Sequence, residues 1–320
     1  MKRRSFIKNV SAAATTLTIF PGLASSCNTK SLNTIGVQLF SLPKLLEKDF
    51  NGGIKMLAEM GYKEIEMYGP FPFSPDSVKE EWKSITPELG FSGSGYFGHA
   101  PQEVKTILKE HRIKVTSVHS DMETMQTRME QLGEAGDILG FEYVGLPAIP
   151  EEKRKTLDDY KRVAEELNKI GEQAKKVGLK FAYHNHGYGL SEIDGQIPLN
   201  IIFDQTDPNL VFFELDIYWT TAGGADPINY LESYPGRYHL MHIKDMTKKV
   251  RFSGDGGNPS QWNELFPYMT TVGDGVLDIP SIISVGQKQG VQHFYVEQDM
   301  VDYPEVALKK SFDYLKNIEF

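Results

Sequence analysis

Three short segments each place two chemically active side chains two residues apart, the spacing that puts both on one face of a β-strand. They are His184 and His186 in Tyr183-His184-Asn185-His186-Gly187, Glu214 and Asp216 in Phe213-Glu214-Leu215-Asp216, and His242 and Lys244 in Met241-His242-Ile243-Lys244-Asp245. A fourth segment, Tyr295-Val296-Glu297, ends in a carboxylate, and Glu66 and His119 close two earlier apolar runs, Glu64-Ile65-Glu66 and Ser117-Val118-His119. Imidazoles and carboxylates buried together are costly unless a cation compensates them. A divalent metal meets that need, and mixed nitrogen and oxygen ligands suit Mn, Mg, Co, Zn or Fe(II) without choosing among them. The candidate ligands are Asp216, His242 and Glu297, with His184 as the fourth and His186 as its alternative. Lys244, on the face of His242, either serves the chemistry or pairs with Glu214 or Asp245.

These groups converge only if their strands lie side by side in one sheet with their C-terminal ends at one rim. From Thr34 onward, β-branched and aromatic runs alternate with longer amphipathic ones, the pattern of βα units around a parallel sheet. The expected strands are Thr34–Gln38, Glu64–Tyr68, Lys114–His119, Tyr143–Leu146, Lys180–His184, Val211–Asp216, Leu240–Lys244 and Phe294–Glu297. Helices are expected over Gly53–Met60, Glu103–Glu110, Thr127–Leu139, Thr156–Lys176, Pro227–Tyr234, Ile279–Gln289 and Pro304–Asn317. Eight strands predict an α/β fold, a single (β/α)8 TIM barrel over residues 34–320, with function at the strands' C-terminal ends. Two stretches break the rhythm, Gly69–Gly98 and Met246–Gly275, and read as βα loops that shape a pocket.

At 320 residues, with 40% hydrophobic and 24% charged residues, the chain can bury a large core, which excludes a disordered chain. A net charge of −9 argues against nucleic acid as a partner, and one cysteine excludes an internal disulfide. Residues 1–27 read as an export signal: Lys2-Arg3-Arg4 and Lys8, then an acid-free apolar run too short to span a membrane. Arg3-Arg4-Ser5-Phe6-Ile7-Lys8 resembles the twin-arginine signal. Ala24-Ser25-Ser26-Cys27 is similar to a lipoprotein box, which makes lipid on Cys27 the expected route to a membrane and the periplasm the expected location. Cleavage there removes four basic residues and no acid, taking the net charge from −9 to −13.

Together with Val272-Gly273-Asp274-Gly275-Val276-Leu277-Asp278, the segments quoted above resemble the sugar phosphate isomerase/epimerase family, the xylose isomerase-like TIM barrels, over about Thr34 to Asn317. The resemblance implies metal ligation by Asp216, His242 and Glu297 on the sixth, seventh and eighth strands. It departs on the fifth strand, where sugar epimerases carry a metal-binding glutamate and this chain has His184-Asn185-His186. A small carbohydrate is the implied substrate, and metal-assisted proton abstraction beside a carbonyl the implied reaction, with Glu297, His184 or His186 as base and Lys244 steadying charge. Reprotonation would give an isomerase or epimerase, and loss of a β-oxygen substituent a lyase or dehydratase, such as one acting on a 3-keto-glycoside. Glu66, His119, Tyr68 and Trp219 are candidate substrate contacts, with Tyr96, Phe97 and Tyr218 as further rings able to stack on a sugar. An endonuclease IV-like phosphodiesterase and a non-catalytic sugar-binding barrel are the alternatives. The sequence leaves oligomeric state open.

Overall fold

The computed structural model describes residues 32–319; the expected export signal and Cys27 lie outside the described residues. Eight parallel strands close into one barrel: Gly36–Gln38, Glu64–Tyr68, Lys114–His119, Tyr143–Leu146, Lys180–His184, Val211–Asp216, Tyr238–Ile243 and His293–Val296. Each pairs with its neighbours in chain order, and the first closes on the eighth through Val37 opposite Val296. Such strands are covered on both faces, so their apolar residues run nearly unbroken; all six residues of Val211–Asp216 except Phe212 are buried.

The helices form the outer layer, and local chemistry sets their starts. Thr156 opens Leu157–Lys176 with a capping box: its hydroxyl accepts the Asp159 N–H and the Asp159 carboxylate accepts the Thr156 N–H. That helix turns Tyr160, Val163, Ala164, Leu167, Ile170, Gly171 and Ala174 toward the sheet, a stripe at helical spacing.

Five strands have the expected bounds, and three shift by one or two residues. The seventh stops at Ile243 and the eighth at Val296, leaving Lys244 and Glu297 just past the strand ends, on the rim. The expected helix Thr127–Leu139 is two helices, Met122–Thr127 and Met129–Leu139, parted at Arg128 where φ is −135°. The stretch Gly69–Gly98 is not loop throughout. It contains the helix Asp76–Leu89, which buries none of its residues fully; Val78, Trp82, Ile85 and Leu89 stand at helical spacing, but Pro87 inside the helix and the Pro- and Gly-rich surroundings hide it. Met246–Gly275 holds one short helix, Pro259–Asn263, and a two-residue ribbon in which Met269–Thr270 pairs antiparallel with Asp245–Met246.

The opposite end of the barrel is closed by Tyr143, whose hydroxyl lies 2.9 Å from His239 Nδ1, while the His239 ring stacks on Phe212 at 4.0 Å. Burial, and then the Lys180 ammonium, lower the His239 pKa from 6.5 to about 4. The folded state thus favours neutral His239, so its contribution is complete above pH 6.5 and is lost as pH falls toward 4. Thermal melts across that window should drop less steeply for His239→Asn than for the parent; parallel curves would refute the assignment.

Candidate metal centre

At the C-terminal mouth five carboxylates, Glu66, Glu214, Asp216, Glu297 and Asp299, are buried with one ammonium, Lys244, and with His119, His184 and His242. Strand register brings them together: His184 lies opposite Glu214, and Asp216 opposite His242. Asp216 also caps the helix Ile217–Ala222. Its Oδ1 accepts the Trp219 N–H at 2.9 Å, which fixes the carboxylate and leaves Oδ2 facing the centre.

Two groups of side chains could hold a metal ion, and they share His242: Asp216, His242 and Glu297, and deeper, His119, His184, Glu214 and His242. The His242 ring separates them. Its Nδ1 lies 2.7 Å from Glu297 Oε2 and 4.0 Å from Asp216 Oδ2, while Nε2 lies 2.6 Å from Glu66 Oε2 and 3.2 Å from Glu214 Oε1. His184 is arranged alike, with Nδ1 3.1 Å from Glu214 Oε2 and Nε2 3.8 Å from Asp216 Oδ2. Both nitrogens of His184 are buried without a hydrogen-bond partner, and Asp216 Oδ2 has the Lys244 ammonium 3.1 Å away as its neighbour. Buried polar atoms are seldom left so, and this donor set of two imidazoles and two carboxylates fits a divalent cation.

Lys244 reaches the carboxylates of Asp216 at 3.1 Å, Glu297 at 2.6 Å and Asp299 at 2.8 Å, not those of Glu214 or Asp245 as its strand neighbours suggest. Asp245 faces away. Its carboxylate accepts the N–H groups of Gly273, Gly275 and Leu277, so the Val272–Asp278 motif serves to anchor a loop. Burial alone would lower the Lys244 pKa, but Asp216, Asp299 and Glu297 raise it well above the ordinary value. Burial likewise opposes ionisation of Glu297, yet Lys244 and His242 hold its carboxyl well below the usual range. Asp299 is pushed up to about 7 by burial and by Glu297.

The two fifth-strand histidines differ. His184 is fully buried and points at Asp216, whereas His186 is part-exposed, with its ring 5.2 Å from Trp262 and 6.1 Å from Trp219. His186 Nδ1 faces the Pro147 carbonyl oxygen, which can only accept, so Nδ1 carries the proton and Nε2 offers a lone pair. Asn185 between them shapes the turn: its side chain donates to the Tyr183 hydroxyl and accepts the Gly187 N–H. Gly187 has φ +87°, and a Cβ there would lie 2.4 Å from the Trp219 carbonyl oxygen.

Glu66 and His119, expected to contact substrate, lie instead beneath the ligand groups, 0% and 7% exposed. Glu66 Oε2 accepts from Gln38 and contacts His242, while His119 Nε2 lies 2.7 Å from Glu214 Oε2. Tyr68 is not available for stacking: its ring packs among Phe40, Trp82 and Phe97, and its hydroxyl donates to the Gly93 carbonyl. Tyr96 packs on Phe71, and Tyr218 donates to the Leu265 carbonyl. Trp219 does border the centre, its ring 5.5 Å from Lys244 Nζ and its own N–H buried without a partner. Asp299 and Gln38 are the participants that sequence reading missed. Asp299 follows Glu297 by two residues, the spacing used for the other strands, but past the last apolar position.

The His119 ring needs room. A Cβ on Gly145 would fall 2.6 Å from His119 Cδ2. Gly145→Ala should therefore cost about 1–3 kcal/mol in urea unfolding, and clearly less in a His119→Ala background; equal costs would show that the ring is not what the methyl group meets.

A closed parallel barrel that gathers histidines and carboxylates at its C-terminal mouth has the arrangement from which TIM-barrel active sites are built. More narrowly, the chain is a member of the xylose isomerase-like TIM barrel family, whose sequence profile matches residues 54–318. An inosose dehydratase from Clostridium perfringens (strain 13 / Type A) is 29% identical over 212 residues, 63% of this chain and 66%, or about two thirds, of that enzyme's length. A sugar phosphate isomerase/epimerase from Parabacteroides distasonis ATCC 8503 superposes with a TM-score of 0.70 at 23% identity, covering 93% of this chain and 98% of its own. The IolI protein, solved with a bound zinc atom, superposes with a TM-score of 0.62 at 16% identity, covering 88% and 95%.

Proposed function

We propose that this protein is a divalent-metal-dependent enzyme that removes a proton beside a carbonyl of a sugar, keto-sugar or cyclitol and expels a β-oxygen substituent, as a dehydratase or related lyase. The observation that carries this reading is the buried group of Asp216, His242 and Glu297, close enough together to hold one ion, with His184 Nε2 3.8 Å from Asp216 Oδ2 and without a hydrogen-bond partner. The inosose dehydratase relative supports the choice of elimination over isomerisation.

A cation held by His184, Asp216, His242 and Glu297 would polarise the substrate carbonyl and stabilise the negative charge that develops as the proton leaves. His186 Nε2, the bare imidazole nitrogen on the open side of the centre, takes the proton. Burial, followed by the neighbouring His184 and Lys244, holds its pKa well below the imidazole range, so the ring is neutral and able to accept. Lys244 remains an ammonium among Asp216, Glu297 and Asp299 and donates a hydrogen bond to the developing oxyanion. Trp219 and Trp262 form an apolar wall beside His186 for the ring of the substrate.

Export before function is part of the same proposal. Arg3-Arg4 and the acid-free run after them support passage by the twin-arginine route, with Cys27 as the lipid attachment point.

Incubating the Mn²⁺-loaded protein in D₂O with a panel of keto-sugars and cyclitol ketones should place deuterium, by NMR, on the carbon beside the carbonyl. His186→Asn should slow that exchange by ~10²–10⁴-fold while still binding metal. Exchange at the parental rate in His186→Asn would remove His186 as the base, and full turnover in Glu297→Gln would end the metal reading.

A further inference from the structure

Glu214 has no part in the reaction just described, yet it sits where the ligand imidazoles meet. Its carboxylate lies closer to both His184 and His242 than Asp216 does: Oε2 is 3.1 Å from His184 Nδ1 and Oε1 is 3.2 Å from His242 Nε2, against 3.8 and 4.0 Å for Asp216 Oδ2. Oε2 also lies 2.7 Å from His119 Nε2, so one carboxylate faces three imidazole nitrogens. Glu66 shares His242, at 2.6 Å, and His119, at 3.2 Å.

An ionised carboxylate only accepts hydrogen bonds. The nitrogens that face Glu214 must therefore carry the protons, which leaves His184 Nε2 to present a lone pair on the Asp216 side; His242 is held at Nε2 by Glu66 and Glu214 and at Nδ1 by Glu297, 2.7 Å away, whose place at that nitrogen a cation would take. Glu214 Oε1 and both nitrogens of His184 have no hydrogen-bond partner although they are fully buried. Those valences are filled together when a cation takes one nitrogen of each ring and Glu214 takes the other. Ligating histidines elsewhere are fixed in this way by a carboxylate behind the ring, which sets the tautomer and raises ligand basicity.

We infer that Glu214 is a positioning residue for the metal centre: a single carboxylate, two residues before the ligand Asp216, that sets the tautomer and orientation of His184 and, together with Glu66, backs the His242 ring. The inference rests on the metal reading proposed above. It gives the Glu-x-Asp spacing of the sixth strand a division of labour, the deeper acid orienting the ligands and the outer acid binding. His119 completes the arrangement as the third donor to Glu214, filling the space that Gly145 leaves open.

The test is metal titration of the whole protein with Mn²⁺ or Co²⁺ against a chromophoric chelator, read as affinity and stoichiometry, with the visible spectrum of the Co²⁺ form as a second readout. The parent should bind one equivalent. Glu214→Gln, equal in size but with an amide donor in place of one oxygen, should weaken binding by about 10–100-fold at unchanged stoichiometry and alter the Co²⁺ bands. Glu214→Asp, which keeps an accepting carboxylate but withdraws it from one of the rings, should fall between the two. If Glu214→Gln does not accumulate as folded protein, Glu214→Asp decides alone: weakened binding supports the inference and parental binding overturns it. Parental affinity and spectrum in Glu214→Gln would likewise overturn it while leaving the metal reading intact. Two equivalents in the parent falling to one in Glu214→Gln would make Glu214 a ligand of a second ion rather than an orienting group. No binding by the parent would overturn both readings.

Discussion

Buried negative charge is the constraint on which the rest of this structure depends. Five carboxylates crowd the mouth of the barrel with a single permanent cation, Lys244, among them. Uncompensated, such charges would be forced to protonate or would oppose folding. The barrel answers by placing every acid against a donor: Glu66 against Gln38 and His242, Glu214 against three imidazoles, Asp216 and Glu297 against Lys244, and Asp299 against the same ammonium. The His184 nitrogens lack hydrogen-bond partners, and beside them Asp216, His242 and Glu297 form a group that could hold one more cation.

The same charge balance explains why the centre is layered. Glu66, Glu214 and His119 are buried and contact one another and the ligand imidazoles. Toward the rim, Asp216, His242, Glu297 and Lys244 face the side from which a substrate arrives, and His186, Trp219 and Trp262 border it. Rigid strands carry the lower layer, while residues just past the strand ends carry the groups expected to react. That division lets the outer groups meet a ligand without loosening the pairs beneath them.

His184 and His186 show how little separation is needed to give like residues unlike duties. Two positions along one strand end, both on the inner face, take one ring into full burial beside Asp216 and the other to the opening beside Trp262. Asn185, facing the other way, holds the turn that makes the difference.

The barrel was legible in the chain because period-two polar placement and β-branched runs are local properties. Five of the eight strands carry the bounds read from the sequence, and the residues of the metal centre were named from their spacing alone. The helix Asp76–Leu89 is hidden because Pro87 and the Pro- and Gly-rich surroundings mask its stripe of Val78, Trp82, Ile85 and Leu89. What the sequence could not assign was depth and partnership. Glu66 and His119 follow the same strand-end rule as Glu297, yet the stagger of the closed barrel sets them below the ligands rather than beside a substrate. Tyr68 was spent on its aromatic neighbours, and Lys244 chose Asp216, Glu297 and Asp299 over the acids nearer in sequence. Alternation along a strand tells which face a side chain takes; only closure of the sheet fixes its height and the groups across the barrel that it meets, because those distances arise from residues far apart in the chain.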